Sequence, residues 1–230
     1  MPTPAFPKRH RKDPAADLPD ALRIPLEEYL AAMAARGQAP LTVELKRDHL
    51  ARFLRWTSDG GDVTSINGIT PLLLQQYRQV VFRTRKGNGL PLALSTQNQR
   101  LVPLRSFFRW LTRFRHIASD PAAEFDLPRV PIPLPVHVPT PNQVERLISG
   151  CDTETRSGLR DRAALELFYS SGLRRQELAS LNLLDLDLEE GVVFVRHGKG
   201  GKSRYVPVGR RAGGWVRRYL HEVRPHLMPS

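Results

Sequence analysis

Five side chains in the C-terminal half are of types able to act together on an anion. Arg174 and Glu177 stand three residues apart in Ser171-Gly172-Leu173-Arg174-Arg175-Gln176-Glu177-Leu178. Lys199, Lys202 and Arg204 cluster in Gly198-Lys199-Gly200-Gly201-Lys202-Ser203-Arg204. A spacing of three places two side chains on one helix face. Glu177 can therefore orient the Arg174 guanidinium so that its fork points at a phosphate.

The elements that must position these groups are legible around them. Ala163 to Phe168 is mostly apolar and predicts a buried helix, ended by Gly172 in the left-handed conformation. A second helix from near Arg174 buries Leu178 and Leu181. Arg174 thus sits at a corner between two packed helices. Val192 to Val195 reads as a strand, Gly198 to Gly201 as a turn, and Tyr205, Val206 and Val208 as the return strand. The tip of that hairpin carries Lys199 and Lys202, with Arg204 just beyond.

These two boxes, in this order, resemble the tyrosine site-specific recombinases, or phage integrase family, and are closest to the Xer-like branch. The resemblance implies that Arg174 contacts the scissile phosphate, Glu177 supports Arg174, and Lys199 protonates the leaving 5′ oxygen. The chemistry agrees. A phosphodiester passing through a pentavalent transition state gains charge on its non-bridging oxygens. One pre-positioned donor for such charge is worth roughly 3–4 kcal/mol, and a lysine at a phosphate can serve as general acid.

Composition points the same way. A net charge of +12 over 230 residues favours a polyanionic partner, here double-stranded DNA. A single cysteine, Cys151, excludes an intrachain disulfide and a cysteine-based zinc site, and fits a reducing, cytoplasmic setting. No metal and no cofactor are expected. Gly201-Lys202-Ser203 looks like the tail of a nucleotide-binding loop, but Arg196 stands where that loop needs glycine and a strand follows instead of a helix. No run is long and apolar enough for a membrane span.

The fold class expected is mainly α with a small β-hairpin or sheet (α+β). Residues 1–20 are Pro-rich and basic, including Lys8-Arg9-His10-Arg11-Lys12, and read as a disordered arm. Residues 21–127 hold four helices. The first runs from Ile24 to Ala35 with Pro25 in its opening turn. The second is capped by Thr42 and buries Leu45, Leu50, Phe53, Leu54 and Trp56. The third opens at Thr70-Pro71, and the fourth, capped by Ser95, contains Pro103 as a kink or a late start. By resemblance this is a SAM-like core-binding bundle, one half of a clamp around DNA. Its polar, basic faces offer Lys46, Arg47, Gln97, Asn98, Arg100 and Arg105 for DNA contact, with Lys202 and Arg204 from the hairpin. Five prolines make residues 128–140 a semi-rigid linker. Thr140-Pro141 restarts helix, with Val144, Leu147 and Ile148 buried, and Ala212 to Val223 forms a last helix pairing Trp215 with Tyr219.

The resemblance also implies a His-x-x-Arg box, a further His or Trp, and a nucleophilic Tyr near the C-terminus. His221-Glu222-Val223-Arg224 follows Lys199 too soon, Tyr205 lies in a strand, and Tyr219 faces a tryptophan. The expectation is a recombinase truncated within its catalytic domain (residues 141–230), with no nucleophile in the chain. Such a chain binds DNA without cleaving it, and its relatives' tetrameric assembly is in doubt here. Two other readings stay open: a non-catalytic DNA-binding regulator with the same clamp, and a basic helical protein-interaction module.

Overall fold

A computed structural model describes residues 15–61, 63–131, 138–196, 198 and 202–227. The described residues fall into two compact units, residues 15–131 and residues 138–227. The described residues are mainly helical, with one three-stranded antiparallel sheet.

The N-terminal unit is built from α1 (Asp20–Ala35), α2 (Pro40–Gly61), α3 (Pro71–Arg83) and α4 (Leu94–Arg113). Apolar residues at three- and four-residue spacing give each helix one buried stripe: Leu22, Leu26, Tyr29, Leu30 and Met33 on α1, and Leu101, Leu104, Phe107, Phe108 and Leu111 on α4. The stripes meet around Phe53, whose ring packs edge-on against Tyr77 at 5.0 Å and Phe108 at 6.0 Å. Thr70 caps α3 by accepting the Leu73 N–H, with Pro71 in the first turn.

Several boundaries differ from the sequence expectation. Of the arm expected over residues 1–20, residues 1–14 lie outside the described residues, while Ala15 and Leu18 are buried in the bundle core because their apolar side chains pack with it. Helix α1 begins at Asp20, so Pro25 lies inside it and not in its opening turn. The break is tolerated because the carbonyl left without a donor belongs to exposed Ala21. Helix α2 begins at Pro40, ahead of Thr42, and Leu45 is exposed. Helix α4 begins at Leu94 without a side-chain cap, and it continues through buried Pro103. The carbonyl freed there belongs to exposed Gln99.

The C-terminal unit contains α5 (Pro141–Ser149), α6 (Arg156–Ser171), α7 (Arg175–Ala179), β1 (Leu186–Asp187), β2 (Val192–Val195), β3 (Arg204–Pro207) and α8 (Arg210–Glu222). Thr140 and Gln143 cap α5 reciprocally, each side chain bonding the other's backbone N–H. Helix α6 ends at Gly172, φ +61°, whose N–H donates to the Phe168 carbonyl at 2.9 Å. The sheet order is β1-β2-β3, with Val193 opposite Val206 and Phe194 opposite Tyr205. The inward residues Val193, Val195 and Val206 pack with Leu167, Leu173 and Val216 to make the core. Strand β1 falls in an acidic stretch whose residue pattern announces no strand.

Two expectations in this unit are corrected. Leu147, expected in the core, is exposed, and only Ile148 of α5 is fully buried. Trp215 meets guanidinium groups in place of the Tyr219 ring, with Arg162 at 4.8 Å and Arg218 at 5.5 Å from its centre.

Candidate functional site

Arg174 immediately precedes α7 in an extended conformation, two residues after the Gly172 cap and beside buried Leu173. Its Cα is therefore fixed by the end of one helix and the start of the next. Its backbone N–H donates to Glu177 Oε2 at 2.8 Å, and its Nη1 to Glu177 Oε1 at 2.8 Å. The side chain remains 57% exposed, so most of the guanidinium donors face solvent.

The same carboxylate holds Arg204 at the start of β3. Arg204 donates from Nη1 to Oε1 at 3.0 Å and from Nη2 to Oε2 at 2.7 Å, a two-point ion pair. Glu177 itself is buried. The Arg204 hydrogen bonds, then the Arg174 N–H and guanidinium, hold its carboxyl down to about 2 against the opposing effect of burial. It is an acceptor-only hub that stays ionised.

A second tie runs parallel to the first. Arg196, just past β2, donates from Nε to Asp185 Oδ1, and Asp185 also accepts the Asn182 N–H at 2.9 Å. Burial opposes ionisation of Asp185, but the Asn182 N–H and Arg196 outweigh it and lower its pKa. Between the two ties lies a polar cavity of about 280 Å³, lined by Glu177, Asn182, Asp185, Phe194 and Arg196. The turn is closed where Gly198 donates its N–H to the Lys202 carbonyl at 3.0 Å. A Cβ on Gly198 would sit 2.6 Å from that oxygen and 2.8 Å from Arg204 Nη1, so only glycine fits.

Of the residues expected to do chemistry, the structure joins Arg174, Glu177 and Arg204 in one cluster. Lys199 lies outside the described residues. Arg204, expected at DNA, instead spends its guanidinium on Glu177. Lys202 is exposed. In the N-terminal unit Gln97 is buried, 4% exposed, and gives its amide to the Leu92 carbonyl, so it is not available to a base edge. Asn98 donates to the Pro128 carbonyl at 2.8 Å. Lys46, Arg47, Arg100 and Arg105 are half-buried. Arg100 has its pKa lowered by burial and then by its neighbour Arg52.

Sequence reading missed a buried charge network. Arg162 donates to Glu166 at 2.9 Å and to the Ile148 carbonyl at 2.8 Å, and Arg211 bridges Glu166 at 2.8 Å to Glu145 at 2.7 Å. It joins α5, α6 and α8. Its only sequence signal is the four-residue spacing of Arg162 and Glu166 on a helix otherwise read as apolar. Among the described residues no group of His, Cys, Asp and Glu could hold a metal, and no helix is long and apolar enough to cross a membrane.

Comparison with known proteins gives concordant matches. The phage integrase family matches residues 138–227. Tyrosine recombinase XerC 2 of Ralstonia nicotianae is 42% identical over 225 residues, 98% of this chain and 64% of the relative. Tyrosine recombinase XerD of the same organism is 36% identical over 192 residues, 84% of this chain and 59% of the relative. The chain thus spans under two thirds of the length of these relatives. Among solved structures, the XerH site-specific recombinase bound to palindromic difH substrate superposes with a TM-score of 0.61 at 19% identity, covering 89% of this chain and 58% of that one. The Tn1549 transposon integrase with a circular intermediate DNA gives 0.60 at 19% identity, covering 86% and 65%. At that identity the structures speak for the fold alone.

Proposed function

The chain belongs to the phage integrase family of tyrosine site-specific recombinases, and on that premise we propose that it binds duplex DNA and carries the phosphate-activating half of a strand-exchange site. In this reading residues 21–127 form a DNA-contacting bundle, residues 128–140 a linker, and residues 141–230 the part of a catalytic domain that holds Arg174. Arg174 stabilises the charge that grows on the non-bridging oxygens of the scissile phosphate. Glu177 positions Arg174. Lys199, at the hairpin tip, delivers a proton to the leaving 5′ oxygen. Further recombinase subunits are the second class of partner, and the cytoplasm is the place of action.

The observation that carries the reading is the state of Arg174. It is pinned to Glu177 at two points yet more than half exposed. The remaining guanidinium donors stay in solvent, within reach of a passing phosphate, and a donor held in fixed geometry costs no reorganisation when the charge develops.

No tyrosine of the chain is assigned as nucleophile. Of the five tyrosines, Tyr29 and Tyr77 are buried in the bundle core, the Tyr205 ring packs on Phe194 at 4.9 Å, Tyr169 is exposed near the end of α6 ahead of Arg174, and Tyr219 is half-buried on α8. The 230-residue polypeptide is therefore expected to bind DNA without covalent capture. A gel-shift series in rising salt, run beside a nicked suicide duplex, tests both parts. Binding that weakens steeply with salt and leaves no adduct is expected. Salt-independent or absent binding would sink the DNA reading. A phosphotyrosyl adduct would sink the non-cleaving part.

A further inference from the structure

The strand-exchange reading gives Arg174 and Glu177 their work and leaves Arg204 without any. Glu177 is nevertheless held as much by Arg204 as by Arg174. Its Oε1 accepts from Arg174 Nη1 at 2.8 Å and from Arg204 Nη1 at 3.0 Å. Its Oε2 accepts from the Arg174 backbone N–H at 2.8 Å and from Arg204 Nη2 at 2.7 Å. Without Arg204 the carboxylate would hold to Arg174 alone, by the backbone N–H at one oxygen and the guanidinium at the other. One fixed point leaves a carboxylate free to swivel, and the Arg174 guanidinium would follow it. Arg204 comes from a different element, the start of β3, and its two parallel N–H groups fix the plane of the carboxylate.

Arg204 is itself held from several sides. Its backbone pairs opposite Val195 in the β2–β3 ladder. The neighbouring Ser203 hydroxyl donates to the Arg196 carbonyl. Gly198 leaves room for the guanidinium, since a Cβ there would lie 2.8 Å from Arg204 Nη1 and 3.6 Å from Glu177 Oε1. Both Nη groups of Arg204 bond to Glu177, whereas on Arg174 only Nη1 does. One arginine is thus turned in to the carboxylate and the other out to solvent. A lysine, with its single ammonium, cannot reproduce the fork. The same ion pair keeps Glu177 charged, Arg204 being the foremost of the groups that lower its pKa.

We propose that Arg204 is a positioning residue for the phosphate-activating arginine: it locks Glu177 in the orientation that aims the Arg174 guanidinium, and it touches no DNA itself. This rests on the strand-exchange reading above and adds a residue to it. A support of this kind acts before substrate arrives, because the donor is already aimed when charge develops.

The side-chain Nε–H resonances of Arg174 and Arg204, assigned through their own backbones in the full chain, report on the two guanidinium groups separately. Short duplexes of unrelated sequence are titrated into the parent. Duplex should move the Arg174 resonance and leave that of Arg204 in place. An Arg204 resonance that moves as far as that of Arg174 would make Arg204 a DNA ligand and overturn the proposal, with no variant needed. In R204Q the Arg174 resonance should lose most of its response to duplex. It should also gain a pH step near the ordinary carboxylate value of 4.5, absent from the parent down to about 3. R204K restores the charge without the fork, so it should recover duplex affinity but not the Arg174 response. An R204K protein that recovers both would reduce Arg204 to a charge and refute the positioning role. So would an R204Q protein that melts like the parent, shows no pH step and responds fully to duplex, and in that case the strand-exchange reading stands while this inference alone fails. Should duplex leave Arg174 unmoved in the parent, the strand-exchange reading falls and this inference falls with it.

Discussion

Glu177 and Arg204, 27 residues apart in the chain, meet in a two-point ion pair at 3.0 and 2.7 Å. Because Glu177 also holds Arg174, one carboxylate links the start of α7 to the returning strand of the hairpin.

The acid limb of stability should report this tie. The Glu177 pKa is lowered in the fold to about 2, so the unfolded chain takes up its proton first as pH falls. The stabilisation is complete above the ordinary carboxylate range and disappears as pH drops through about 2. Thermal melts of E177Q should show a flatter pH dependence than the parent from the ordinary carboxylate range, about 4.5, down to about 2. Parallel curves would show that Glu177 is not the linked group.

Replacing Glu177 by alanine removes the acceptor for both arginines. Since Arg174 and Arg204 are each more than a third exposed, water takes over much of their solvation. The expected loss is about 1–3 kcal/mol, the scale of hydrogen bonds to a charged group. Equilibrium urea unfolding measures it; a loss near zero would contradict the hub.

Two glycines should fail for different reasons. Gly198→Ala forces a Cβ to within 2.6 Å of the Lys202 carbonyl, so the turn must open, and faster amide exchange is expected at Val195 and Arg204. Gly172→Ala meets nothing within 4 Å, and its cost comes from φ +61° alone, about 1–2 kcal/mol. Gly172→Asn should recover part of that; Gly198→Asn should not. Equal responses at the two sites would refute the distinction.

The buried network makes an asymmetric prediction. Glu166→Ala strands the nearly buried Arg162 without its partner and should cost about 3–5 kcal/mol. The double change R162M/E166L removes both charges together and should recover most of the loss. Chemical denaturation of the three proteins tests this, and a double variant worse than the single one would overturn it.

In the bundle, Phe53→Ala removes a fully buried ring and should cost about 3–5 kcal/mol. Since the chain forms two compact units, the lowered transition should be that of the N-terminal one. Exchange of Val193 and Val206 amides should be unaffected; a common shift would mean that the units unfold together.

What the sequence by itself determined was local. The Thr70 and Thr140 caps, the Gly172 stop, the strand from Val192 to Val195 and the Arg174–Glu177 contact each depend on residues within one turn or one hairpin, so spacing and side-chain chemistry suffice to read them. Helix starts were less legible at Pro25 and Pro103, because a helix tolerates proline where the freed carbonyl reaches water. Tertiary structure alone decided which charges meet. That Arg204 turns to Glu177, that Arg162 and Glu166 enter the core, that Gln97 is buried while Leu45 and Leu147 are exposed, all depend on which face of one element lies against another. Burial and ion pairing across distant segments are properties of packing, and a one-dimensional pattern of charge and hydrophobicity does not encode which of several similar arginines finds the single carboxylate within reach.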